Sequence, residues 1–139
     1  MVRREYSMND PSTLDRVLSC ARVAADKRGS DLVILDVRGH ASFTDYFLIV
    51  SGSSDRRVQT IAEAVIQTMK EQGVRALGAE GVKEGRWALL DFGDWVVHVF
   101  YEEVRESFDL EGLWFDAERV EIPAEVLDPR QRVSQGAAP

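Results

Sequence analysis

Apolar positions run through this chain in two rhythms, one helical and one extended. Leu14, Val17, Leu18, Ala21 and Ala24 or Ala25 recur at helical spacing. The spacing predicts a first helix that opens at Asp10-Pro11-Ser12-Thr13 and stops at Arg28-Gly29. An aspartate there can cap free amides, and proline is tolerated just inside a helix start. Leu32-Val33-Ile34-Leu35 and Tyr46-Phe47-Leu48-Ile49-Val50 are short, continuously apolar runs, the pattern of strands covered on both faces. After Ser51-Gly52-Ser53-Ser54 the helical rhythm returns in the single stripe Val58, Ile61, Ala62, Val65, Ile66 and Met69. Gly73 stops it, and Val74 to Glu80 is expected to return as a strand.

Trp87 to Tyr101 reads as a hairpin with Gly93-Asp94 as a two-residue loop of type II′. That loop sets the register: Phe92 faces Trp95, Asp91 faces Val96, Leu90 faces Val97, Leu89 faces His98, and Trp87 faces Phe100. Ala88, Leu90, Phe92, Trp95, Val97 and Val99 then share a wholly apolar face, which belongs against helices. Trp87, Leu89, Asp91, Val96, His98 and Phe100 share the other, where large apolar groups mix with two polar ones. A last helix is expected around Val104 to Trp114. Strands alternating with helical stretches predict an α/β (α+β) fold, a single mixed sheet of about five strands with helices packed on it. The domain is expected over residues 10–116, between a flexible start at 1–9 and a loose tail at 117–139 that is poor in large apolar residues.

Composition narrows the function. The 139 residues carry 17 Lys+Arg against 24 Asp+Glu, a formal charge of −7. A binder of naked nucleic acid needs a cationic surface to displace counterions, so the balance points to a basic protein partner instead. One cysteine, Cys20, forms no internal disulfide and is expected to pack beside the first helical stripe. With His40 and His98 it falls short of the roughly four ligands of a His/Cys zinc site. No apolar run approaches the roughly 20 residues of a membrane span, and no leader pattern opens the chain, so a cytoplasmic protein is expected.

Three chemistries can be drawn. Ser51 to Ser54 lies between a strand and a helix, where amides attract phosphate; a plain turn needs the same glycine and capping hydroxyl. The loop has neither the Walker lysine nor the spacing of a dinucleotide fingerprint. Gly52-Ser53 at a strand end also opens a nucleotidyltransferase motif, but that chemistry needs paired carboxylates at D-x-D spacing. Asp91 and Asp94 are three apart and straddle the hairpin turn, so they cannot point together. A Ser53, His98 and Asp91 hydrolase lacks the nucleophile elbow. His98 and Asp91, diagonal neighbours, could shuttle a proton or make a structural hydrogen bond. Trp87 with Leu89 beside acidic groups has the make-up of an interface anchor; another element of the same domain could equally cover it.

Four stretches in order resemble the Iojap-like family of ribosomal silencing factors: Thr44 to Ser54, Ala79-Glu80-Gly81, Trp87 to Phe100, and Arg105 to Trp114. The string from Trp87 through Gly93-Asp94 to Val97-His98, followed by Leu110-Glu111-Gly112-Leu113-Trp114, is the most specific part. The resemblance implies a nucleotidyltransferase-like fold without catalytic aspartates, no cofactor and no enzymatic activity. It implies binding to the large ribosomal subunit through the ribosomal protein numbered fourteen, at the face where the small subunit docks, and hence repression of translation when nutrients are short. It also implies a possible homodimer. Phe108 stands where the family usually has tyrosine. Combined with the hairpin geometry, the resemblance makes Glu80, Trp87, Leu89, Asp91, Asp94 and His98 the candidate partner-binding residues, with Trp87 and Leu89 as the desolvated anchor.

Overall fold

The structure, a computed structural model, describes residues 12–128. Helix α1 (Thr13–Asp26) begins one residue after Ser12, whose Oγ accepts the Asp15 N–H at 3.1 Å while the Asp15 carboxylate accepts the Ser12 N–H. This reciprocal pair satisfies two amides at once, so Ser12 takes the capping role expected of Asp10, which lies outside the described residues. Strands β1 (Ser30–Asp36) and β2 (Tyr46–Gly52) follow, then helix α2 (Asp55–Glu71), capped by Ser54. Strand β3 covers only Gly78–Glu80; the Val74 N–H is taken by the Met69 carbonyl at 2.8 Å in the turn through Gly73 (φ +83°) that caps the end of α2.

Strands β4 (Trp87–Asp91) and β5 (Trp95–Tyr101) form the hairpin in the register that the loop length predicts, with Asp91 opposite Val96, Leu89 opposite His98 and Trp87 opposite Phe100. Gly93 takes the positive φ, +85°, that the loop is expected to need, and the turn closes tightly, with the Asp94 N–H on the Phe92 carbonyl at 3.1 Å. The single helix expected over Val104 to Trp114 is two, α3 (Glu102–Phe108) and α4 (Leu110–Leu113). They part at Asp109, which adopts φ 45° and whose carboxylate accepts the Gly112 N–H.

The sheet has six strands, in the order β3-β4-β5-β2-β1-β6, with β2 and β5 parallel and every other pair antiparallel. The sixth, β6 (Glu118–Val120), lies in the stretch expected to be a loose tail, and helix α5 (Ala124–Leu127) follows it. The domain therefore does not stop at 116. β6 adds to the edge of β1 through backbone pairing, which needs no apolar pattern, and Val126 is 4 % exposed in the core around α1 and α2. The ends expected to be flexible, 1–9 and the last part of the tail from 129, lie outside the described residues.

Two cores flank the sheet. On one face α1 and α2 cover Leu48, Val50, Ala88, Leu90, Val97 and Val99, all fully buried, as the apolar hairpin face requires. On the other, α3 and α4 cover Leu35, Phe47, Ile49, Val96 and Phe100.

Candidate partner-binding face

Cross-strand pairing places Glu80 opposite Leu89, Leu89 opposite His98 and His98 opposite Ile49, so these residues form one row across the second face. Trp87 and Asp91 lie on the same face by strand alternation, and Asp94 sits in the turn at its end. The sheet thus brings together five of the six candidates, with Asp94 beside them. Glu80 is exposed; Trp87, Leu89, Asp91 and Asp94 are half-buried.

His98 departs from the expectation of a partner-facing residue. It is 4 % exposed, behind Trp87, because β5 is a central strand flanked by β4 and β2. Its Nδ1 accepts the Trp87 indole N–H at 3.1 Å, so neutral His98 carries its own proton on Nε2, which has no hydrogen-bond partner among the described residues. Burial pushes its pKa down to about 4. The ring stands perpendicular to Phe47 at 5.0 Å. Nor does it pair with Asp91, whose carboxylate accepts the Gly93 N–H at 2.8 Å and pins the hairpin turn. His98 is a buried orienter of Trp87 and forms no proton-shuttling pair.

The open question of what covers Trp87 has a mixed answer. Its ring stacks on Phe100 at 4.9 Å, and Phe108 from α3 lies over it at 4.7 Å. Elements of its own domain cover part of the ring, and the remainder meets solvent with Leu89 beside it.

At the Ser51 to Ser54 junction three of the four small residues, Ser51, Gly52 and Ser54, are accounted for by the junction itself. The Ser54 hydroxyl accepts the Arg57 N–H at 3.0 Å as the helix cap, and buried Ser51 Oγ accepts from Arg105 Nη1 at 2.9 Å. A Cβ on Gly52 would meet Val58 at 3.0 Å, so glycine is needed for α2 to approach β2. The cleft beside Ser53 is lined by the carboxylates Asp55 and Glu84 as well as Arg86, a poor cradle for phosphate. Among the described residues no three metal-ligating side chains cluster, and no helix is long and apolar enough to cross a membrane. Cys20 packs fully buried, and burial pushes its thiol up to about 12, which keeps it protonated and inert.

Sequence reasoning misses two features, the first because it joins distant positions and the second although it is plain in the sequence. Arg105, largely buried, donates to both Glu111 carboxylate oxygens, to Ser51 and to the Asp31 carbonyl, tying α3, α4, β1 and β2 together across up to 74 positions. Charge is also concentrated: residues 102–128 hold ten acidic residues and only Arg105 and Arg119, both bridged to Glu111.

The family model described as "Ribosomal silencing factor during starvation" matches residues 10–138. The ribosomal silencing factor RsfS of Bacillus subtilis is 44% identical over 102 residues, which cover 73% of this chain and 86% of that protein. The mouse protein named mitochondrial assembly of ribosomal large subunit protein 1 is 31% identical over 121 residues, 82% of this chain and 52% of its own length. A crystal structure of a protein from Chromobacterium violaceum superposes with a TM-score of 0.74 at 30% identity, covering 86% of this chain and 99% of that one.

Proposed function

The chain belongs to the RsfS family of ribosomal silencing factors, and on that premise we propose that it silences by occupancy. It binds the large ribosomal subunit through the ribosomal protein numbered fourteen, at the intersubunit face, and sterically blocks joining of the small subunit. Translation falls as a result when nutrients are limiting. The protein acts in the cytoplasm, without catalysis and without a cofactor.

The observation that carries this reading is the half-open face around Trp87. A partly covered indole with Leu89 beside it, rimmed by Glu80, Asp91 and Asp94, is the make-up of a desolvated anchor inside a polar rim. The acidic rim fits the Lys and Arg side chains of a ribosomal protein and adds specificity and association rate more than affinity. The absence of a D-x-D pair around the hairpin, with Asp91 spent on its own turn, supports a role without phosphoryl transfer. The name of the mouse relative, an assembly protein of the large subunit, points to the same half of the ribosome.

The test is a sucrose-gradient joining assay with purified subunits. Wild-type protein is expected to keep them apart, and Trp87→Ala to let them join. The exposed charge reversal Glu80→Lys, which leaves the core untouched, is expected to slow binding to large subunits. If both variants block joining as well as wild type, the hairpin face is not the anchor.

A further inference from the structure

We infer that the partner-binding surface continues past the hairpin to a second apolar centre, made by Phe43, Leu113, Trp114 and Phe115, and that this centre takes a basic polypeptide segment. The inference rests on the reading above and extends it, since the hairpin alone is its anchor there.

Phe43, Leu113 and Phe115 are 63%, 74% and 79% exposed. Large apolar residues exposed singly are ordinary; here Phe43 meets the Trp114 ring, and Leu113 and Phe115 flank that tryptophan in the chain. Phe115 occupies the tip of a turn closed by the Ala117 N–H on the Trp114 carbonyl at 2.9 Å, a position usually given to polar residues. Trp114 beneath is a fixed platform, edge-on to Phe47 at 5.2 Å and to Phe43 at 6.4 Å. Phe43 and Phe115 stand out from it into solvent.

This centre is continuous with the hairpin face. Phe47, which seats Trp114, lies opposite Val96, and Val96 lies opposite Asp91. The Asp45 N–H donates to the Asp94 carbonyl at 2.9 Å and ties the Phe43 loop to the hairpin turn. Asp91, Asp94 and Asp45 therefore line the turn end of the sheet, where the hairpin face meets the Phe43 loop.

Charge selects the occupant. The segment that supplies Leu113, Trp114 and Phe115, residues 109–118, holds four acidic residues and no lysine or arginine. A symmetric contact between two copies would set this segment against itself and repel. A basic segment with an apolar side chain or two would relieve the field and fill the platform.

The test compares full-length wild type, the double variant Phe43→Ser/Phe115→Ser and Trp87→Ala in pelleting assays with isolated large subunits, with sedimentation velocity on each. Both serine positions are exposed, so the double variant is expected to melt like wild type. It is expected to bind large subunits at least fivefold more weakly and to sediment as wild type does. A loss below fivefold, with Trp87→Ala binding abolished, overturns the second centre and leaves the hairpin reading standing. A double variant that loses self-association while binding large subunits normally assigns the surface to a second copy and also overturns it. Wild type that fails to bind large subunits overturns both readings.

Discussion

One sheet presents two faces built by the same strands, and they end in different states. The face under α1 and α2 is closed: Leu48, Val50, Leu90, Val97 and Val99 are fully buried beneath helices of 14 and 17 residues. The opposite face carries side chains at least as large, yet its cover consists of helices of 7 and 4 residues, α3 and α4. A helix rises about 1.5 Å per residue, so those two together shield only a short strip. Trp87, Leu89 and Trp114 stay half-buried at its margins. Strand alternation decides which residues share a face, and the length of the covering helices decides whether that face becomes core or contact surface.

The largest effect should separate the faces by stability. Ile61, fully buried on α2, is expected to cost about 2–5 kcal/mol as Ile61→Ala, measured by urea unfolding. Leu89→Ala on the open face removes a side chain that is already partly wet and should cost under about 1.5 kcal/mol. Equal costs would mean that the second face is as closed as the first and would break the comparison.

The second effect sits under the open face and reads out in pH. His98 is held neutral, with its pKa pushed from 6.5 down to about 4 by burial. Between those values the unfolded chain binds a proton that the fold refuses, so stability is complete above pH 6.5 and falls as pH drops towards 4. The full loss is about 3 kcal/mol, the free-energy equivalent of the shift. Asp36, whose carboxylate is held below the usual range chiefly by its hydrogen bond from Arg38, loses its contribution only below that window. Unfolding at pH 7, 5.5 and 4.5 isolates the histidine, and His98→Phe is expected to flatten the profile. A slope that survives in His98→Phe belongs to another group.

The hairpin, its register and the closed face were legible because they are local. A two-residue loop fixes pairing, and strand alternation then sorts every side chain from Trp87 to Phe100. The missing D-x-D was legible for the same reason. What could not be read depends on distant partners. β6 is three residues that join β1 by backbone pairing with Val120 as the one apolar side chain on the core, and α5 shows one buried residue, Val126. Whether His98 faced a partner or the interior depended on β5 lying between β4 and β2, which no spacing within the hairpin reveals. The Phe43 and Trp114 contact joins positions far apart in sequence, so the second apolar centre had no local signature.

The smallest effect concerns the edge between cover and opening. Phe108, 52% exposed, lies over Trp87 from the last turn of α3, and it stands where the family resemblance leads one to expect tyrosine. Its outer half already meets water, so a hydroxyl at the ring tip needs no buried partner. Phe108→Tyr is therefore expected to change stability by less than about 0.5 kcal/mol in urea unfolding. Phe108→Ala removes the ring contact and part of the cover, and should cost about 1 kcal/mol. Indole emission is expected to shift to the red as water reaches Trp87, and Trp87→Phe in the same background should abolish the shift, since Trp95 is buried and Trp114 lies against Phe47. If Phe108→Ala costs 3 kcal/mol or more, α3 closes this face as α2 closes the other. The half-open indole that the docking reading depends on would then be core.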